Sequence, residues 1–314
     1  METKLNYKRT FLIGLAFLSI CSFWQMYDNI IPLILQNTYH LGETMTGAVM
    51  ALDNVLAIFL LPVFGALSDK VHTKLGRRMP FIVAGTILAV IFMMLLPMID
   101  NAEKARWNTG ESFSNQVIFL AVLFFTLVSM GLYRSPAVAL MPDVTPNHLR
   151  SRANAVINLM GAVGGVYALI MIKVLVGKGE TPDYLPLFAS IAAVMAIAVG
   201  ILVITIRENK LREEVEKAET ANAGTIEEKA MAEGVEAAGE IEAVGDTGEA
   251  KASDGKQQMG KTENAKGMPK EVKRSMYFML ASIFLWFTAY NAVTTAFSRY
   301  TKVVWKMEGG SFAN

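Results

Sequence analysis

Gly65-Ala66-Leu67-Ser68-Asp69-Lys70-Val71-His72-Thr73-Lys74-Leu75-Gly76-Arg77-Arg78 is the stretch from which the rest of the chain can be read. It packs an acid and a cluster of cations between two runs almost free of charge. Residues 44–68 are broken only by Asp53, and 79–99 carry no Asp, Glu, Lys or Arg. A helix crossing the hydrocarbon core of a bilayer needs about 20 mostly apolar residues. Both flanking runs reach that length, so the charged stretch reads as a short loop at a membrane surface. Outward from it lie five more runs: 10–36, broken only by Asp28, and 112–133, 153–172, 184–206 and 275–298, all uncharged. Seven membrane spans are predicted. The first is too long for a signal peptide and lacks its small-residue cleavage site, so it reads as a retained helix.

Composition agrees once it is divided by region. The chain has 314 residues, 53% hydrophobic and 18% charged, against about 45–50% and about 25% for a soluble domain. Residues 207–274 alone hold 16 of the 28 acidic and 12 of the 29 basic side chains. What remains is too poor in charge to solubilise a globule. A secreted disulfide scaffold, a strongly basic nucleic-acid binder and an ordinary soluble enzyme are thereby excluded. The single cysteine, Cys21, sits in an apolar run and reads as a buried, inert thiol. Segment 207–274 is rich in Ala, Gly and Glu and contains no aromatic residue, so it cannot bury enough apolar surface to offset the entropy of ordering. It is expected to be a disordered cytoplasmic tether, with a short helical continuation over Lys210–Glu219. The expected organisation is a six-helix bundle over 1–206, the linker over 207–274, and one further transmembrane helix in 275–314. Six helices, a linker and one helix form just over half of a two-bundle plan, and the chain reads as a fragment or truncated product.

Lys and Arg in short loops set orientation. They gather in the N-terminal tail (Lys4, Lys8, Arg9), at Lys70, Lys74, Arg77 and Arg78, at Arg150 and Arg152, and on both flanks of the long segment. Residues 37–43 have none, while 99–111 have Lys104 and Arg106. The N-terminus is expected in the cytoplasm of a plasma-membrane protein. Arg299, Lys302 and Lys306 run against the rule.

The loop's residues have separate uses. Gly65 permits close helix approach and Gly76 a tight turn. Asp69 can cap a helix start or pair with a guanidinium, and Arg77 and Arg78 anchor the bundle at the phosphate level. Such a cluster can lock one face and break when it opens; the plainer reading is a positive-inside loop with a turn glycine. The pattern Gly65, Asp69, Lys70, Gly76, Arg77, Arg78 resembles the signature loop of the major facilitator superfamily. The longer form continuing into Met79-Pro80-Phe81-Ile82 is similar to the glycoside:cation symporters and the sucrose transporters. A second stretch supports this: Tyr133-Arg134-Ser135-Pro136-Ala137-Val138-Ala139-Leu140-Met141-Pro142-Asp143, then Arg150-Ser151-Arg152-Ala153-Asn154-Ala155. The resemblance covers 11–206. It implies an all-α membrane fold with a major facilitator-type N-terminal bundle, and a cytoplasmic gate built from the loop residues with Asp143, Arg150 and Arg152. One departure stands out. The plant sucrose transporters place a sugar-binding arginine where this chain has Val138; here the arginine is Arg134, four residues earlier on the same helical face. The acid those transporters carry earlier in the fourth helix has no counterpart, so the substrate need not be sucrose.

Ionisable groups inside spans cost at least about 2.5–3.5 kcal/mol and normally face a cavity or a partner. Asp53 and Asp28 are the candidates for cation coupling. The resemblance favours Asp53, because sugar–cation symporters use acids on the second helix; a structural ion pair between Asp53 and Arg134 is the alternative. Aromatic platforms with amide and carboxylate groups bind sugars. Trp24, Gln25, Tyr27 and Asn29, with Asn54 and Arg134, supply those types, whereas an interfacial aromatic belt is the other reading of Trp24 and Tyr27. Tyr167, Trp286, Tyr290 and Asn291 are weaker candidates. Gly161, Gly164 and Gly165 read as helix packing.

His40, His72 and His148 lie in separate loops, and no nucleotide loop or catalytic triad is recognisable. No metal, cofactor or enzymatic activity is expected. The expected function is secondary transport of a sugar or glycoside coupled to a cation, H⁺ first, by alternating access. The protein would be monomeric at full length, with the lipid bilayer and no nucleic acid as partner. An exporter of amphipathic compounds and a seven-helix receptor or sensor are the alternatives.

Overall fold

The computed structural model describes residues 5–107, 115–177, 182–217, 220 and 270–305. The chain falls into two compact units, 1–219 with 293–314 and 220–292. The helices are α1 (Tyr7–Asn37), α2 (Glu43–Lys70), α3 (Met79–Trp107), α4 (Gln116–Asp143), α5 (Arg150–Leu175), α6 (Leu185–Thr205), α7 (residues 208–217) and α8 (Lys270–Val304). A single 3₁₀ turn, Asn147–Leu149, precedes α5. Among the described residues the one extended pairing is an isolated bridge between Thr73 and Gly76. The architecture is an all-helical major facilitator-type bundle.

Among the described residues six helices, α1 to α6, are long and apolar enough to cross a membrane. Hydrocarbon offers the backbone no partners, so a spanning segment must satisfy every N–H and C=O within itself. Side chains on the outside of the bundle, such as Ile58, Phe59, Val117 and Ile204, are apolar and exposed, as contact with lipid requires. The seventh expected span, 275–298, falls within α8, whose side chains are described only in part. Most of the expected linker, 218–269, lies outside the described residues apart from Thr220.

Lipid surrounds apolar helices as comfortably as they surround each other, so their association rests on close packing and hydrogen bonds. The most extensive pairings are α1 with α5 and α3 with α4; α2 rests on α4, and α6 on α1 and α3. Gly164 sets the first contact. A Cβ there would run into the backbone of Leu18, and the Ser22 hydroxyl of α1 donates to the Gly164 carbonyl at 2.9 Å. Tyr133 of α4 is fully buried; its hydroxyl meets the Ser19 hydroxyl at 2.6 Å and donates to the Ala16 carbonyl at 3.0 Å, tying α4 to α1.

α3 and α4 run furthest, by eight and ten residues, past the C-terminal ends of the spans expected from the sequence. α3 does not stop near 99 but continues to Trp107. Two of its charges neutralise each other: the Lys104 ammonium donates to Asp100 at 2.6 Å and to the Pro182 carbonyl at 2.7 Å, and lies 4.8 Å from the centre of the Tyr184 ring. The fourth helix begins at Gln116 and ends at Asp143, so Arg134 sits inside it.

Candidate functional site

At the face carrying the 2–3 loop, Arg78 is the hub. Its side chain is almost fully buried and uses most of its donors. One terminal nitrogen lies 2.6 Å from Asp69 at the end of α2, and Nε donates to Asp143 at the end of α4 at 3.0 Å. The other terminal nitrogen donates to the Ser68 hydroxyl at 2.5 Å and to the Gly65 carbonyl at 3.2 Å. A single planar guanidinium thus joins α2, α3 and α4, a fork geometry that lysine lacks. Asp69 was expected either to cap a helix or to pair with a guanidinium; it sits at the C-terminal end of α2 and does the second.

The cap on α3 is an acid from elsewhere. Glu208, the first residue of α7, is wholly buried, and its carboxylate accepts from the backbone N–H of Arg77 at 2.8 Å, of Arg78 at 3.0 and 3.1 Å, and of Met79 at 3.1 Å. These are orphan donors of a helix start, where the macrodipole also favours negative charge. The turn before them needs Gly76, whose φ of 127° disfavours any side chain; a Cβ there would also strike the Glu208 carboxylate. Thr73 closes the turn with backbone bonds to Gly76 in both directions, and its hydroxyl donates to the Gly76 carbonyl at 2.6 Å. The Asn209 amide donates to the carbonyls of Thr73 at 3.0 Å and Lys74 at 3.3 Å. Farther along α7, Glu214 pairs with Arg9 of α1 at 2.8 Å. Arg150 caps the other end of the cluster, donating to the carbonyls of Pro142 at 2.8 Å and Thr145 at 3.2 Å. Lys70 and Arg152 are exposed.

Within the bundle, Trp24 of α1, Asp53 of α2 and Arg134 of α4 line one small cavity of about 20 Å³ with Leu60, Leu127 and Gly131. That is room for a water molecule. The Arg134 guanidinium lies over the Trp24 ring, 5.5 Å from its centre. Among the described residues it closes no ion pair with Asp53, whose Oδ1 instead accepts from the Asn54 amide at 2.9 Å. A cation on an aromatic face is worth up to about 2 kcal/mol when desolvated, and it leaves the carboxylate available. The indole Nε1 of Trp24 is buried with no hydrogen bond among the described residues.

The other sequence candidates scatter. Tyr27 stacks on Phe23 with ring centres 6.0 Å apart and lies inside the hydrophobic core, not on the cavity wall. The Asn29 amide turns back to donate to the Gln25 carbonyl at 2.7 Å. Asp28 and Gln25 are half-buried on α1. Tyr167 meets Ser190 at 2.6 Å and joins α5 to α6. In α8, Trp286 and Tyr290 stack 6.0 Å apart; the side chain of Asn291 lies outside those described. Sequence reasoning did not find Glu208, Asn209, Ser68 or the Arg9–Glu214 pair. Only Ser68, inside the quoted loop, carried a local signal.

The sequence profile described as Major Facilitator Superfamily matches residues 8–311. Among curated relatives, a sucrose transport protein of Arabidopsis thaliana is 35% identical over 116 residues, covering 35% of this chain and 22% of that protein. A sucrose transport protein of Oryza sativa subsp. japonica is 26% identical over 137 residues, covering 41% of this chain and 27% of that protein. The chain thus spans about a quarter of the length of the relatives it matches.

Proposed function

The chain belongs to the major facilitator superfamily, and from that premise we propose that it serves the uptake of a sugar or glycoside coupled to H⁺ by alternating access. It is a multi-pass membrane protein with a transporter's fold, and its aligned relatives are named for sucrose transport. The observation that carries the coupling role is the cavity where Asp53, Arg134 and Trp24 converge inside the bundle. A carboxylate in a membrane interior is costly and is kept where it has work to do. Asp53 accepts a proton from one side and surrenders it to the other, with Arg134 near enough to compensate its charge in one state. Trp24 offers a flat apolar face for a sugar ring, while Arg134 and Asn54 supply donors to hydroxyl groups. The Asp69–Arg78–Asp143 cluster holds the 2–3-loop face shut, and that face is cytoplasmic on the positive-inside count.

The test is uphill uptake of a labelled glycoside into proteoliposomes carrying the full-length protein under an imposed pH gradient. Asp53→Asn is expected to lower accumulation to the equilibrium level while leaving exchange of substrate across the membrane in place. Undiminished pH-driven accumulation by that variant would remove Asp53 from the coupling role.

A further inference from the structure

The acid that caps α3 comes from beyond the last helix of the bundle. Glu208 follows α6 by a break of two residues, and α7 crosses back to reach both the 2–3 loop and α1. A wholly buried carboxylate with no cationic side chain bonded to it among the described residues is expensive unless its lone pairs are filled. Here they are filled by three consecutive backbone N–H groups, those of Arg77, Arg78 and Met79. The middle one belongs to the residue whose side chain bridges Asp69 and Asp143. Glu208 therefore fixes the backbone from which the bridging guanidinium is hung. Asn209 holds the preceding turn by its carbonyls, so two successive residues grip the loop from opposite polarity. Gly76 leaves space for the grip, since the Cβ of any other residue would occupy the site of the carboxylate.

We propose that Glu208 is a positioning residue of the gate: delivered by α7, it holds the start of α3 so that Arg78 can bridge α2 and α4, and release of α7 from the loop is the step that frees this face to open. The inference rests on the reading of the Asp69–Arg78–Asp143 cluster as a gate. A carboxylate is required, and shape alone does not suffice. An amide keeps one acceptor oxygen but turns an NH₂ group toward N–H donors, which is repulsive. Release of α7 also parts Glu214 from Arg9, so the α1 contact and the loop contact are made and broken together.

Hydrogen–deuterium exchange on the full chain in lipid nanodiscs reads the clasp without any substrate. Glu208→Gln is expected to speed exchange of the Arg77, Arg78 and Met79 amides by about tenfold while core amides of α4, such as Leu127 and Met130, keep their protection. Glu208→Asp, which retains the charge, is expected to restore part of it. In parallel, uptake by Glu208→Gln is expected to show a shifted KM with a smaller change in maximal rate, because the balance of open and closed faces moves and the binding residues do not. Unchanged exchange at 77–79 would overturn the proposal. So would faster exchange with both transport constants unaltered, or a general loss of core protection, which marks a residue that only stabilises the fold. Failure of the unmodified protein to take up sugars counts against the transport reading alone, since the exchange arm does not depend on it.

Discussion

The Arg78 side chain meets Asp69, Asp143, the Ser68 hydroxyl and the Gly65 carbonyl, and the fork of the guanidinium is what permits it. Arg78→Lys keeps the charge but gathers its donors on one nitrogen, losing the spread fork that meets Asp69, Asp143 and the Gly65 carbonyl from three separate nitrogens. It is expected to cost about 1–3 kcal/mol, read as a lowered melting temperature in detergent. The two acids it joins should differ. Asp69 is half exposed, whereas only 22% of the Asp143 side chain is exposed. Exposed ion pairs contribute about 0–1 kcal/mol, so Asp143→Asn is expected to destabilise more than Asp69→Asn, and equal losses would contradict this. Tyr133 offers a second case. Tyr133→Phe removes bonds to Ser19 and the Ala16 carbonyl, but Ser19 still donates to Ala16 at 2.9 Å. A loss of about 1 kcal/mol in thermal stability is expected.

At the scale of helices, the α1–α5 contact depends on the absence of a side chain. Gly164→Ala places a methyl group against the Leu18 backbone, which cannot yield without separating the helices. It is expected to abolish a monodisperse, folded product on size-exclusion chromatography. Gly200 of α6 is the control, because a methyl group there would meet nothing within 4 Å. Gly200→Ala should raise stability by up to about 1 kcal/mol through helix propensity. The apolar runs announced these helices but not their ends. α3 extends past 99 because Asp100 and Lys104, one turn apart, neutralise each other against Pro182 and Tyr184, partners supplied by the segment before α6. A charge count along the chain cannot anticipate that.

For the whole molecule, the helix count and the loop charges make orientation a separate question from fold. With Cys21 replaced by Ser, an impermeant maleimide is expected to label Lys173→Cys at the far end of α5 in intact cells. Lys74→Cys in the 2–3 loop should react only after lysis, both positions being exposed. The reverse pattern would place the Asp69–Arg78–Asp143 cluster outside and reverse the proposed direction of coupling. Lys104, which counts as an outer cation in the sequence, is bound to Asp100 and is not a free loop charge.

Run length, charge and glycine position act over a few residues, and they were enough to read a multi-pass helical membrane protein from the chain. The same local signals placed its first six helices and the charged loop over residues 65–78. Trp24, Asp53 and Arg134 stood out as well, because charge and aromatic character inside an apolar run are visible without knowing the neighbours. Which of the candidates share a cavity was settled by packing. Tyr27, three residues from Trp24, belongs to the core, whereas Trp24 meets an arginine from α4. The cap of α3 is a matter of tertiary contact alone, since Glu208 is separated from Arg78 by 130 positions in the chain. A glutamate in a charged segment looks like any other solvated acid until the fold brings three unpaired N–H groups to meet it.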